Sequence, residues 1–165
     1  MSKIDSSKHE SALTIDWYPQ KMGENIKTTN IPLRTDDGAA VNGTLYQVGD
    51  AKSVICLMHP REFLACHYLI PILANSGLAV WVQGARSVGV DLRLQHEQAI
   101  IDVAAGMVFL REAGFENIIL LGNSGGAGLF TYYIQQSQLL MPSFISHHIR
   151  GRDGYCKAVL ILLSG

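Results

Sequence analysis

Ser124 stands in the run Gly122-Asn123-Ser124-Gly125-Gly126, which satisfies the pattern G-x-S-x-G. A serine hydroxyl attacks a carbonyl only where it is exposed to substrate and where donors meet the charge that develops on the carbonyl oxygen. The pattern supplies that setting when a strand leads into it and a helix leads out. The apolar run Asn117 to Leu121 precedes it, and Ala127 to Gln138 reads as helix. A bend that sharp leaves no room for side chains beside the serine, and Gly122 and Gly126 have none. Ser124 is then expected to project from the bend, with the first amides of the following helix directed at the same spot. An ordinary glycine-rich turn is the competing reading of the same residues. A nucleotide-binding loop is the other competitor, and it fares poorly because neither G-x-x-x-x-G-K-[ST] nor G-x-G-x-x-G occurs here.

Other residues able to do chemistry are scattered. His147, His148 and Asp153 follow Ser124 in a stretch without clean periodicity, where they read either as a base with its acid or as a solvated loop group. Upstream, His67, His96, Asp91 and Asp102 fall in or near predicted helices and are expected at surfaces or helix caps. Cys56, Cys66 and Cys156 are odd in number and widely spaced, which argues against a disulfide framework and against a C-x-x-C metal site. Cys56 lies inside an apolar run and is expected to act as a small core residue. No cofactor and no metal is expected.

The elements that must position Ser124 follow from composition and pattern. The chain has 165 residues, 48% hydrophobic and 16% charged, enough apolar material for one sizeable core. Its net charge of -1, without runs of Lys or Arg, points away from nucleic acid and anionic membrane and toward a small-molecule partner. The absence of a long apolar run and of a secretory-type start leads to the expectation of a cytoplasmic protein.

Residues 1–29 are polar and expected to form a loosely held arm, with 30–165 making the domain. Ile31 to Thr35 and Val41 to Val48 flank Asp36-Asp37-Gly38 as an antiparallel hairpin. Ser53 to Met58 is apolar without alternation, the mark of a strand covered on both faces, and it stops at His59-Pro60. Phe63 to Asn75 has a helical pattern in which Pro71 either kinks one helix or opens a second, with Gly77 as its end. Leu78 to Val82 is the next buried strand. Ile100, Val103, Ala104, Met107 and Val108 then mark one helical face closed by Gly114. After the serine, Leu139 to Tyr155 reads as an irregular excursion before the apolar strand Ala158 to Leu163. Buried strands alternating with helices predict an α/β fold with a mostly parallel sheet, helices on both faces and an antiparallel amino-terminal hairpin.

From about Ile31 onward, the chain resembles the amino-terminal half of the α/β-hydrolase fold, in the antiparallel start, His59-Pro60 after the third strand and Gly122 to Gly126 after the fifth. The resemblance implies a serine hydrolase acting on a carboxylic ester or related acyl substrate without a cofactor. It assigns the nucleophile to Ser124, and the oxyanion donors to the backbone N–H groups of Gly125 and of a residue after the third strand. Pro60 has no N–H, so that second donor falls to Arg61 or a neighbour, and His59 is read as a residue that fixes the loop. The family order is serine, acid, histidine, whereas His147 and His148 precede Asp153 here. Two readings follow: a hydrolase crippled by lack of the downstream acid and base, or a truncated, non-catalytic remnant or interaction module. With carboxy-terminal strands missing, the apolar edge of 158–163 is expected to self-associate or to be completed by another chain. Substrate selection would rest with loops, Arg86 to Arg93 and Met141 to Tyr155 among them.

Overall fold

The computed structural model describes residues 21–89, 96–139 and 160–163. The first 20 residues of the expected arm, Asp91, Cys156, the excursion with His147, His148 and Asp153, and the start of the last strand all lie outside that set.

Among the described residues nine elements follow one another: β1 (Ile26–Arg34), β2 (Ala40–Val48), β3 (Ser53–Met58), α1 (Leu69–Asn75), β4 (Ala79–Gln83), α2 (His96–Glu112), β5 (Asn117–Asn123), α3 (Gly125–Leu139) and β6 (Leu160–Leu163). The strands form one six-stranded sheet in the order β1-β2-β4-β3-β5-β6. β3 occupies the interior because both of its faces are apolar. Val54, Cys56 and Met58 point into the core shared with α2 and α3, while Ile55 and Leu57 point into the core under α1. A strand that must bury both faces needs helices on both sides, and the run without alternation in the sequence is the cause.

Two expectations about the sheet are corrected. The sheet is mixed rather than mostly parallel: β3 pairs in parallel with β4 and β5, and β5 with β6, but β1–β2 and β2–β4 are antiparallel. The hairpin does not stand apart; β2 joins the sheet along β4, with Gly43 opposite Gln83 and Tyr46 opposite Val80. Close approach there is possible because Gly43 leaves its space to the Trp81 ring, which a Cβ would overlap. Next, β1 begins at Ile26, so residues 26–29 belong to the sheet and not to an arm. Their polar sequence hid the strand, yet Ile26 pairs with Val48 and the Thr44 hydroxyl donates to Asn30 Oδ1 at 2.7 Å. Of the two readings left open for Pro71, the structure has the short helix. Pro71 lies in the first turn of α1, where a missing N–H deprives the helix of nothing.

Helix α2 ends as its sequence requires. Gly114 takes φ +88°, its N–H reaches Arg111 O at 3.0 Å, and the Phe115 N–H reaches Leu110 O at 3.1 Å, a Schellman closure with two core side chains packed beneath it. The helix is rotated by about one residue from the expected face. Ala99, Asp102, Val103, Met107 and Leu110 are buried, while Ile100, Ala104 and Val108 are only half-buried. Asp102, expected at a surface or cap, is wholly buried.

Candidate active site

Met58, Gln83 and Gly122 lie in register on adjacent parallel strands, so the residues after β3, β4 and β5 meet along one edge of the sheet. Ser124 is at that edge, alone between the last residue of β5 and the first of α3. Its φ is +47°, and among the described residues no other non-glycine has a positive φ. A left-handed serine costs about 1–3 kcal/mol and persists only where neighbouring structure enforces it. The enforcement is visible. A Cβ on Gly122 would overlap the backbone N and Cα of Ala127, and one on Gly126 would overlap the Met58 carbonyl oxygen. The first turn of α3 is thus pressed against the ends of β5 and β3 at once. Ser124 O accepts the Ala127 N–H at 3.0 Å, and the residue itself is exposed. Gly128, fourth glycine of the run, has open space where its Cβ would be and has no part in this packing.

Gly125 is the first residue of α3, so its N–H is one of the four that have no acceptor within the helix. A Cβ there would come within 3.1 Å of the Pro60 ring, which brings the loop after β3 beside the elbow. In that loop the Arg61 N–H points at His59 Nδ1, 3.3 Å away. His59 thus holds the loop through the Arg61 amide, the one that the sequence reading offered as second oxyanion donor. His67 Nδ1 takes the Leu69 N–H at 3.3 Å, and burial lowers its pKa. Among the described residues no hydrogen bond joins the Ser124 hydroxyl to a histidine.

A network that sequence reasoning missed supports the loop after β4. Asp102 on α2 accepts the Arg86 N–H (2.8 Å) and Nε (2.8 Å), and Arg86 reaches across to Asp37 in the β1–β2 turn. The Thr35 hydroxyl completes it on Asp37 Oδ1. The Arg86 and Thr35 hydrogen bonds hold the Asp37 carboxyl well below the usual carboxylate range, and its two carboxylate partners push Arg86 up. The one signal in sequence was a carboxylate on the buried side of a helix, readable only once the helix phase is known. Beside this network Gln83 is fully buried, accepting Trp81 Nε1 and donating to Gly84 O, each at 2.8 Å. Gly106 of α2 leaves room for that amide.

Cys56 is buried and its thiol is pushed up by burial, in keeping with a core role; Cys66 is exposed. No group of three or more His, Cys, Asp or Glu among the described residues could hold a metal ion, and no helix among them is long and apolar enough to cross a membrane.

No family model matches the sequence, and no curated protein matches it. Solved structures do. An esterase of Pyrococcus furiosus, Pf2001, superposes with a TM-score of 0.56 at 22% identity over 66% of this chain and 45% of its own. Brefeldin A esterase, described as a bacterial homologue of human hormone sensitive lipase, gives 0.58 at 13% identity over 82% of this chain and 43% of its own. The α/β hydrolase GrgF from Penicillium sp. sh18 gives 0.55 at 15% identity over 65% and 41%. The chain spans less than half the length of these three proteins, and what it shares with them is the fold.

Proposed function

We propose that this chain, which carries part of the α/β-hydrolase fold, is a serine hydrolase acting on a carboxylic ester or related acyl substrate, with Ser124 as nucleophile. The observation that carries the reading is the left-handed, exposed Ser124 held between β5 and α3 by two glycines that no larger residue could replace. Strain of that kind, at the carboxyl edge of parallel strands, serves to present a hydroxyl. Ser124 Oγ bonds to the acyl carbon as its proton passes to solvent water. The carbonyl oxygen takes the negative charge between the N–H groups of Gly125 and Arg61. Collapse then expels the alcohol and leaves an acyl-serine for water to cleave.

In this reading turnover by the chain is weak. His147, His148 and Asp153, which follow Ser124, come in the reverse of the family's order, and an oxyanion hole without a base and acid retains only about 10³–10⁴-fold acceleration over water. The test is exposure to a serine-directed fluorophosphonate alongside an aryl ester, with Ser124→Ala as control. Stoichiometric labelling confined to residue 124, with slow ester turnover that the variant lacks, is the expected result. Wild-type protein that neither labels nor turns over would place the chain among non-catalytic interaction modules.

A further inference from the structure

We propose that Ser87 is a positioning residue for the second oxyanion donor, acting through the Pro60–Arg61 peptide; the inference rests on the reading of Ser124 as nucleophile and of the Arg61 N–H as donor. The Ser87 hydroxyl donates to Pro60 O at 2.6 Å. That carbonyl and the Arg61 N–H are the two ends of one peptide group. In a trans peptide they point in opposite directions, and the described chain has no cis bond. Whatever fixes the Pro60 carbonyl therefore aims the Arg61 N–H.

The surroundings make that aim rigid. Pro60 is buried and its ring fixes its φ, so the plane of the following peptide keeps one soft rotation on the proline side. Ser87 is 5% exposed, so little water competes for its hydroxyl. On the far side the Gly89 N–H holds Arg61 O at 3.1 Å, fixing the next peptide as well. Ser87 in turn follows Arg86, whose own N–H is held by the wholly buried Asp102 at 2.8 Å, and Val88 N–H closes a turn on Ala85 O at 3.1 Å. A chain of bonds thus runs from α2 to the Pro60–Arg61 peptide, whose proline ring lies beside Gly125 of the elbow.

The present acceptor of the Arg61 N–H is His59 Nδ1 at 3.3 Å, a long bond. A developing oxyanion is a stronger acceptor, since charge-assisted bonds are about twice as strong as neutral ones. In this proposal the oxyanion replaces His59 Nδ1 as the acceptor while Ser87 keeps the peptide plane in place. Donors fixed in advance need no reorganisation as charge develops, and losing one in related chemistry costs about 10²–10³ in kcat. Loosening one by removing its brace costs less.

Ser87→Ala removes the brace and Ser87→Thr keeps a hydroxyl. Ser87→Cys, nearly isosteric with only a weak S–H donor, serves if the alanine variant folds poorly. Expected in the alanine and cysteine variants is a roughly 10–100-fold slower phosphonylation of Ser124, with KM for an aryl ester within about twofold of wild type and faster hydrogen exchange at the Arg61 amide. The threonine variant recovers most of the rate. Equal labelling rates in wild type, Ser87→Ala and Ser87→Cys, or unchanged Arg61 exchange, overturn the role of Ser87 and leave the nucleophile intact. A wild-type protein that does not label at all overturns the nucleophile and, with it, the oxyanion role.

Discussion

Gly126 lies so close to the Met58 carbonyl that a methyl group at 126 would overlap that oxygen. The first turn of α3 therefore rests on the last residue of β3, and the exposed serine two residues earlier is seated against the end of that strand by a backbone contact.

Gly126→Ala should be destabilising by about 3 kcal/mol, the upper range for overpacking, because the opposing atom is backbone and cannot rotate away. Labelling of Ser124 should fall with it. Gly128→Ala is the control: open space surrounds that position, and alanine in a helix is favoured over glycine by about 0.8–1 kcal/mol. Denaturant titration of both variants checks the contrast, and equal effects would refute it.

Ser124→Gly should remove activity and raise stability. The left-handed φ of +47° disfavours serine by about 1–3 kcal/mol, against roughly 0.5–1 kcal/mol of extra unfolded-state entropy for glycine. A net gain of about 1 kcal/mol follows, read as a higher denaturant midpoint with unchanged slope. Ser124→Ala removes the hydroxyl equally well without that gain, so the difference between the two variants isolates the backbone.

Arg86→Met leaves the Asp102 carboxylate wholly buried with only the backbone N–H of residue 86 as partner. Breaking a buried pair on one side costs about 3–5 kcal/mol, and the surviving N–H places this variant near the lower end. Arg86→Met combined with Asp102→Leu should recover most of the loss, because apolar replacement of both partners spares the desolvation of a lone charge. Thermal melts of the two variants at neutral pH decide it.

Asp37 gives the network its pH dependence. Arg86 depresses its folded pKa, so the carboxylate contributes stability above the unfolded value of about 3.9, and that contribution fades as pH falls from there toward the depressed folded value. The melting difference between wild type and Asp37→Asn should thus be largest and constant above about pH 5 and shrink steadily below about pH 4. A difference that grows on acidification would contradict the pairing.

The parts of this molecule legible in its sequence are those set by local chemistry. Ser53 to Met58 declared a doubly covered strand because every residue in it but the first is apolar, and Gly114 declared a helix end because few other residues tolerate its φ. Gly122 to Gly126 gave the elbow for a different reason, since a Cβ at 122 or 126 would overlap neighbouring backbone. What escaped depends on residues brought together from afar. Nothing local distinguishes Asp102 from a solvated carboxylate until Arg86, 16 residues away, is folded onto it. The seat of β4 between β2 and β3 is equally invisible, since a buried strand advertises its faces and not its neighbours. Ser87 looked like any loop serine; only its partner on the carbonyl of Pro60 gives it meaning.

The strand order has a consequence for biosynthesis. β3 gains one hydrogen-bonded neighbour from β4 soon after it is made, but Ser53 must wait for Asn117, 64 residues later, before the other side is covered. At about 5–20 residues per second the ribosome leaves the sticky ribbon Val54 to Met58 half-clothed for several seconds. A nascent chain in that interval needs a holding chaperone or slow neighbours, and translation speed across codons 59–117 becomes a determinant of yield.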